Sequence, residues 1–409
     1  MKNNAKKWLA ILLCLALMAA LCSCGAGKTE PEEPAADEPQ TNTEPAEEGG
    51  EDKPQVDVKA PVIEGLTYAS TQELTCAECF RIYRYEGGYS VIRVNDGRDY
   101  FLVPEGGTVP EGLPSDVIVL QKPLNSIYMA ATASMALIDA IGGLGSVTMS
   151  SITADNWYVE NAAAAMERGE IRYAGKYSAP DFEMLLEEKC TLAVESTMIW
   201  HKPDILEKIE EIGVPVFIDR ASYEPSPLGR TEWVKLYGEL LDRQEEADAF
   251  FTEQESYIRE LEGAENTGKT VAFFYVSSTD TVVVRKANDY VSKMISLAGG
   301  RYVFDDLVTE DESATATLNM TMEEFYAAAV NADYLIYNAS ISDPVTSLDD
   351  LLAKSDLFAN FKAVKNGDVW CTQRSLYQAT DAVGTIVSDM HRMLTGDTAD
   401  GLTFIYHLN

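Results

Sequence analysis

Four arginines draw notice in a chain whose formal net charge is −34. Arg220, Arg285 and Arg374 fall just past the apolar runs VPVFID, TVVV and VWCTQ, and Arg230 comes a little beyond the first. Ligands of open α/β sheets gather outside the carboxyl ends of strands, so all four are candidates to face a ligand. A guanidinium offers forked donors to carboxylate or catecholate oxygens and stacks on aromatic faces. Tyr128, Trp200, Tyr223, Tyr275 and Tyr377 occupy similar strand-end positions. Each arginine equally fits a surface ion pair with one of the many acids, and each aromatic equally fits packing.

Other chemistries find less support. The histidines are His201, His391 and His407, too few and too scattered for the imidazole cluster of a zinc carrier. His201 with a tyrosine could ligate a haem iron axially. The glycines of IGGLGSVT do not complete GxGxxG, and neither a phosphate-binding loop nor GxSxG occurs. Ser196, Thr197 and His201 lie too close along one segment to build a nucleophile, base and orienting group. The reading is therefore a binding protein with no catalytic residues, no resident metal and no cofactor. Cys76 and Cys79 form CAEC without a second pair, so strand packing or a local exported disulfide is expected rather than a zinc or redox centre. Cys190 and Cys371, in apolar surroundings, are expected to be buried inert thiols.

These residues must be positioned by a fold, and the pattern is α/β. Residues 61–115 alternate apolar and polar side chains around the turn signals EGG and NDG, which predicts a β-ribbon or meander. From 116 to 230, strands at 116–123, GSVTM, CTLAVES and VPVFIDR alternate with helical stretches, the first being NSIYMAATASMALIDAIGG. Nearly all-apolar strands alternating with helices indicate a parallel sheet covered on both faces. Residues 231–266 place Trp233, Tyr237, Leu240, Leu241, Phe251, Ile258 and Leu261 at helical spacing without a proline. About 30 of these residues, from 231 to 263, predict one strut of about 45 Å at 1.5 Å per residue. A second α/β pattern fills 267–409. Two doubly wound lobes bridged by one long helix leave a cleft for a ligand.

The first residues add a location. Lys2, Lys6 and Lys7 precede an apolar run, Trp8 to Leu21, that is shorter than the roughly 20 residues a bilayer span requires, the signature of an export signal. Leu21 and Ser23 before Cys24 resemble a bacterial lipobox, predicting cleavage after residue 23, acylation of Cys24, and attachment to the outer face of the cytoplasmic membrane. Residues 24–60 are rich in acids and proline and predict a disordered tether. The strong negative charge argues against nucleic acid and against attraction to anionic lipid, leaving the anchor as the membrane contact.

The stretches VIVLQKPLNSIYMAATASMALIDAIGGLGSV, AGKYSAPDFEMLL, LEKIEEIGVPVFI, VKLYGELLDRQEEADAFF, SLAGGRYVF and NMTMEEFYAAAVNADYLIY, in this order, resemble the solute-binding proteins of ABC importers for iron–siderophore complexes, haem and cobalamin. The resemblance covers about residues 116–395, with KCTLAV at 189–194 departing from the Pro-Asp usual there. It implies a monomeric carrier that takes an iron chelate between two lobes and docks on a permease with its ATPase subunits. It also implies that Glu183 and Glu323, each at the start of a helix, contact permease arginines. Haem or cobalamin as the ligand, and a surface sensor or adhesion subunit on the same fold, remain alternatives at this point.

Overall fold

The computed structural model describes residues 59–261, 266–307 and 317–409, all within one compact unit, Thr41–Asn409. The export signal expected at 1–23, Cys24 and the tether up to residue 58 lie outside the described residues.

Alternation builds the first sheet, β1 (Tyr68–Thr71), β2 (Phe80–Tyr85), β3 (Tyr89–Val94), β4 (Asp99–Val103) and β5 (Ile118–Gln121), in that spatial order. Phe80, Ile82, Ile92, Val94, Tyr100 and Leu102 point into the main core. Tyr83, Tyr85, Val91, Phe101 and Val103 fill a smaller core on the other face with Ile63 and Leu66. The strand at 116–123, expected to open the N-terminal lobe, instead pairs with β4 and extends this meander past residue 115. Its burial gives the reason: Leu120 is buried while Val119 and Gln121 are exposed. That suits a sheet edge, whereas a central parallel strand would be covered on both faces.

The N-terminal lobe opens with β6 (Ile127–Met129), a fully buried strand inside the stretch expected to be helical; the helix begins only at Thr132. With β7 (Val147–Ser150), β8 (Arg172–Tyr173), β11 (Leu192–Ser196) and β12 (Val216–Asp219) it forms a parallel sheet in the order β12-β11-β6-β7-β8. Between β8 and β11, β9 (Gly175–Lys176) and β10 (Ala179–Pro180) make a small hairpin. The chain leaves β6 to one side and returns on the other, so the switch point where crevices form lies between β6 and β11.

The bridge is helical but jointed. Helices Pro227–Glu232, Val234–Leu241 and Gln244–Glu260 replace the single rod expected at 231–266. Asp242 ends the second in the left-handed region at φ 56°. Beyond it the chain folds back so closely that a Cβ on Gly238 would lie 2.7 Å from the Ala247 Cβ. Trp233 and Tyr237 pack on Phe217 of β12, and the Gly384 N–H bonds Gln254 Oε1 of the third helix at 3.2 Å. The second helix is thus built into the N-terminal lobe and the third into the C-terminal lobe.

In the C-terminal lobe, β13 (Thr270–Val276), β14 (Val282–Arg285), β15 (Arg301–Tyr302), β16 (Thr317–Met320), β17 (Tyr334–Tyr337), β18 (Val369–Thr372) and β19 (Ile405–His407) form a mixed sheet. β13, β17 and β18 run parallel at its centre. The α/β class read from the pattern is the class of this molecule.

The meander braces the bridge. Arg84 pairs with Glu239 at 2.8 Å, Gln72 reaches Asp248 at 3.3 Å, and buried Lys122 bonds both Glu239 O and Asp242 Oδ1 at 2.6 Å. Tyr100 Oη accepts the Ile218 N–H at 3.3 Å, occupying an open donor of edge strand β12. Cys76, Cys79, Cys190 and Cys371 are free thiols, and all but Cys76 are buried.

Candidate functional site: the junction between the lobes

On the N-terminal side the candidate chemistry centres on Arg220, at the exit of β12. Its guanidinium lies 4.9 Å from the Trp200 ring and 4.3 Å from the Tyr223 ring. Trp200 comes from the turn Thr197–His201 after β11, and Tyr223 from the turn Ala221–Tyr223. Stacking engages the face of a guanidinium and leaves its N–H edge free. Arg220 Nε is buried and has no hydrogen-bond partner among the described residues. Burial raises the carboxyl of Asp96, in the meander turn Asn95-Asp96-Gly97, while the charges of Arg220 and Arg98 oppose the rise.

Where the bridge meets the C-terminal lobe, buried Arg230 lies 3.9 Å over the ring of Tyr290, with Nε again buried and unpartnered among the described residues. Arg285, at the end of β14, lies 6.0 Å from the same ring and pairs with Asp289 at 3.5 Å. Burial raises the Asp289 carboxyl, and the charges of Arg285 and Arg230 pull it back. Asp289 also caps the helix Tyr290–Leu297, accepting the Val291 N–H at 2.8 Å. Lys293 in that helix bonds the Pro225 carbonyl across the lobes.

A second junction lies at 156–158. Gln378 Oε1 accepts the Tyr158 N–H at 2.8 Å, while its Nε2 donates to Asn156 O at 3.0 Å and to Tyr377 Oη at 2.8 Å. Tyr158 and Tyr377 meet edge to face at 5.9 Å. One buried amide thus ties a loop of one lobe to a turn of the other.

The other expected ligand residues lie elsewhere. Tyr128 is fully buried in the core behind β6, and its hydroxyl donates to Gly175 O at 2.8 Å. Tyr275 is buried within β13 opposite Val283. Arg374 is exposed at the start of the turn Arg374–Tyr377. Gln121 and Lys122, read as the end of a lobe strand, belong to the meander. Glu195, at the end of β11, is fully buried with neither carboxylate oxygen hydrogen-bonded among the described residues. Burial raises its carboxyl well above the ordinary range. Tyr290 and Gln378 were missed from sequence: each is a single polar side chain whose contacts come from residues distant along the chain. Their nearness to Arg285 and Tyr377 along the chain was the one available signal.

Glu183 and Glu323 are both exposed in the first turns of the helices Phe182–Glu187 and Met322–Ala329. Glu324 completes a capping box with Thr321, which leaves Glu323 outside that pairing.

Two lobes and a helical bridge, with guanidiniums stacked where they meet, are the architecture of this chain, and the family profile described as periplasmic binding protein matches residues 117–375, over half the chain. The chain belongs to the periplasmic binding protein family. This binding protein is 27% identical over 307 residues to an uncharacterized lipoprotein of Methanocaldococcus jannaschii, covering 71% of this chain and 70% of that one. A second uncharacterized lipoprotein of the same organism is 25% identical over 330 residues, covering 78% and 81%. Among solved structures, a possible iron-binding periplasmic solute-binding protein of Staphylococcus epidermidis is similar with a TM-score of 0.52 at 15% identity, covering 66% of this chain and 98% of that one. The periplasmic heme-binding protein HutB of Vibrio cholerae is similar with a TM-score of 0.53 at 16% identity, covering 67% and 98%. These likenesses establish the fold of the binding protein. The meander before residue 117 lies outside the family match.

Proposed function

We propose that this binding protein captures an anionic iron chelate, a ferric siderophore, between its lobes and delivers it to the permease of an ABC importer whose ATPase subunits drive release. One observation carries the reading: Arg220 and Arg230 are both held on aromatic faces while their buried Nε donors are used by no described residue. A buried donor without a partner costs about 1–3 kcal/mol, a cost that an oxyanion ligand would relieve. Arg285, Trp200, Tyr223 and Tyr290 complete the proposed site, with Tyr377 at the second junction beside Gln378. Iron-bearing ligands are named for the S. epidermidis and V. cholerae proteins of the same fold, which supports the same ligand class here.

In this reading Glu183 and Glu323 dock on permease arginines. Both stand in helix first turns, where a carboxylate is also favoured by the helix dipole. Cys24 carries the lipid that holds the protein at the outer face of the cytoplasmic membrane, and the monomer is the working unit. The test is tryptophan quenching with a ferric tris-catecholate, a ferric hydroxamate, haemin and cyanocobalamin side by side, since Trp200 lies against Arg220. Saturable quenching by a ferric siderophore is expected. A Soret shift with haemin alone would reassign the ligand to haem, and no response to any probe would overturn the carrier reading.

A further inference from the structure

The segment that bears Tyr223 and Arg230 is gripped by a loop from outside the family-matched region. The N–H groups of Thr75, Cys76 and Ala77 donate to the Glu232 carboxylate at 2.9, 2.7 and 2.7 Å. Thr75 Oγ1 and Lys235 Nζ add bonds at 3.3 and 2.9 Å. The next two N–H groups, of Glu78 and Cys79, donate to Glu224 at 2.7 and 3.0 Å, and Trp233 Nε1 joins at 2.7 Å. Five consecutive backbone donors therefore converge on two buried carboxylates, as in an anion-binding nest built for side chains of the same protein. This is the role of the CAEC stretch, whose cysteines are free.

The grip falls beside the proposed anion site. Glu224 directly follows Tyr223, which stacks on Arg220, and Glu232 lies two residues past Arg230. Between them, a Cβ on Gly229 would come within 2.9 Å of Cys76 O and 3.2 Å of Glu224 Oε2. The loop thus rests on the bridge at the residue preceding Arg230. For adhesion alone, apolar contacts would serve at lower desolvation cost than two buried carboxylates. What a carboxylate in a nest adds is directional fixing of the backbone on either side of it.

We propose that Glu224 and Glu232 are positioning residues for the anion site, through which the Thr75–Cys79 loop sets Tyr223 against Arg220 and Arg230 against Tyr290. The inference rests on the reading of Arg220 and Arg230 as anion-binding groups. It assigns the meander a part in ligand affinity.

A double-mutant cycle tests it, with the full-length protein titrated by tryptophan quenching against a ferric tris-catecholate, haemin and cyanocobalamin. Glu232→Gln is expected to weaken binding about tenfold in the otherwise wild-type protein but less than about twofold in the Arg230→Ala background, as for residues acting through one another. Glu224→Gln is expected to behave likewise toward Arg220→Ala. Equal losses in both backgrounds, or no loss in either, would overturn the positioning role and leave the nest as adhesion only. Should a glutamine variant fail to fold by circular dichroism, Gly229→Ala, which crowds Cys76 O without altering charge, reads the same coupling to Arg230→Ala. If no probe binds the wild type, or if Arg220→Ala and Arg230→Ala leave all binding unchanged, the anion reading itself falls and this inference falls with it.

Discussion

Arg230 lies 3.9 Å over the ring of Tyr290, a contact that joins the bridge to the first residue of a C-terminal-lobe helix. The stack holds the guanidinium by its face and leaves Nε without a partner among the described residues. Replacing Arg230 with Ala is expected to weaken binding of a ferric tris-catecholate about 10- to 100-fold, the loss of one charge-assisted bond of about 1.5–3 kcal/mol. Tyr290→Phe keeps the aromatic face and is expected to change affinity less than about twofold. Unchanged affinity in both Arg220→Ala and Arg230→Ala would remove the proposed pocket.

Gln378 places all its polar atoms across the lobe junction, on Tyr158 N, Asn156 O and Tyr377 Oη. Gln378→Ala is expected to speed ligand dissociation about tenfold, since two or more bonds of about 1 kcal/mol each close that side of the cleft. Stopped-flow displacement measures it. A wild-type dissociation rate would show that this junction does not gate the cleft.

Asp381 supplies a pH signature. Burial, with the negative charge of Asp139 adding to it, pushes its carboxyl up to about 6. A carboxyl raised in the folded state binds its proton more tightly there than in the unfolded chain, so stability falls as pH rises between about 4 and the folded value. Thermal midpoints of wild type and Asp381→Asn should diverge over that window, the variant becoming the more stable by about 1–3 kcal/mol at neutral pH. Parallel pH profiles would refute the assignment.

Lys122 holds the joint of the bridge, bonding Glu239 O and Asp242 Oδ1. Lys122→Met strips the cap from that carbonyl and is expected to cost about 2–3 kcal/mol in urea unfolding. A loss below about 0.5 kcal/mol would mean that the joint is held by packing alone.

Glu183→Ala with Glu323→Ala tests docking. Both side chains are exposed and remote from the arginine cluster in sequence, so ligand affinity should stay within about twofold. Stimulation of the reconstituted transporter's ATPase activity by the loaded protein should be lost. Retained stimulation would move the docking surface elsewhere.

The α/β class and the N-terminal meander were legible in the chain, and Arg220, Trp200 and Tyr223 stood among its candidates without the stacking that joins them. Each depends on hydrophobic period or on the residue types just past a strand, and such local patterns survive without knowledge of long-range packing. Ile118–Gln121 was misassigned because a short apolar run reads alike at an edge and at the centre of a sheet. Only the exposure of Val119 and Gln121 tells them apart. The joint at Asp242 was missed because helical spacing of Leu240, Leu241 and Phe251 persists through a turn, whereas the fold-back depends on Gly238 admitting Ala247.

By itself the sequence determined two lobes of alternating strands and helices and a short list of arginines able to meet an anion, because hydrophobic period and strand-end chemistry are written residue by residue. Tertiary structure alone decided which arginines are stacked with an Nε unpartnered among the described residues, that Tyr128 is core, that Gln378 spans the lobes, and that CAEC grips Glu224 and Glu232. Each of these joins residues far apart along the chain. Neither partner carries a mark of the other until packing brings donor and acceptor within hydrogen-bond reach and removes the water that would otherwise satisfy them.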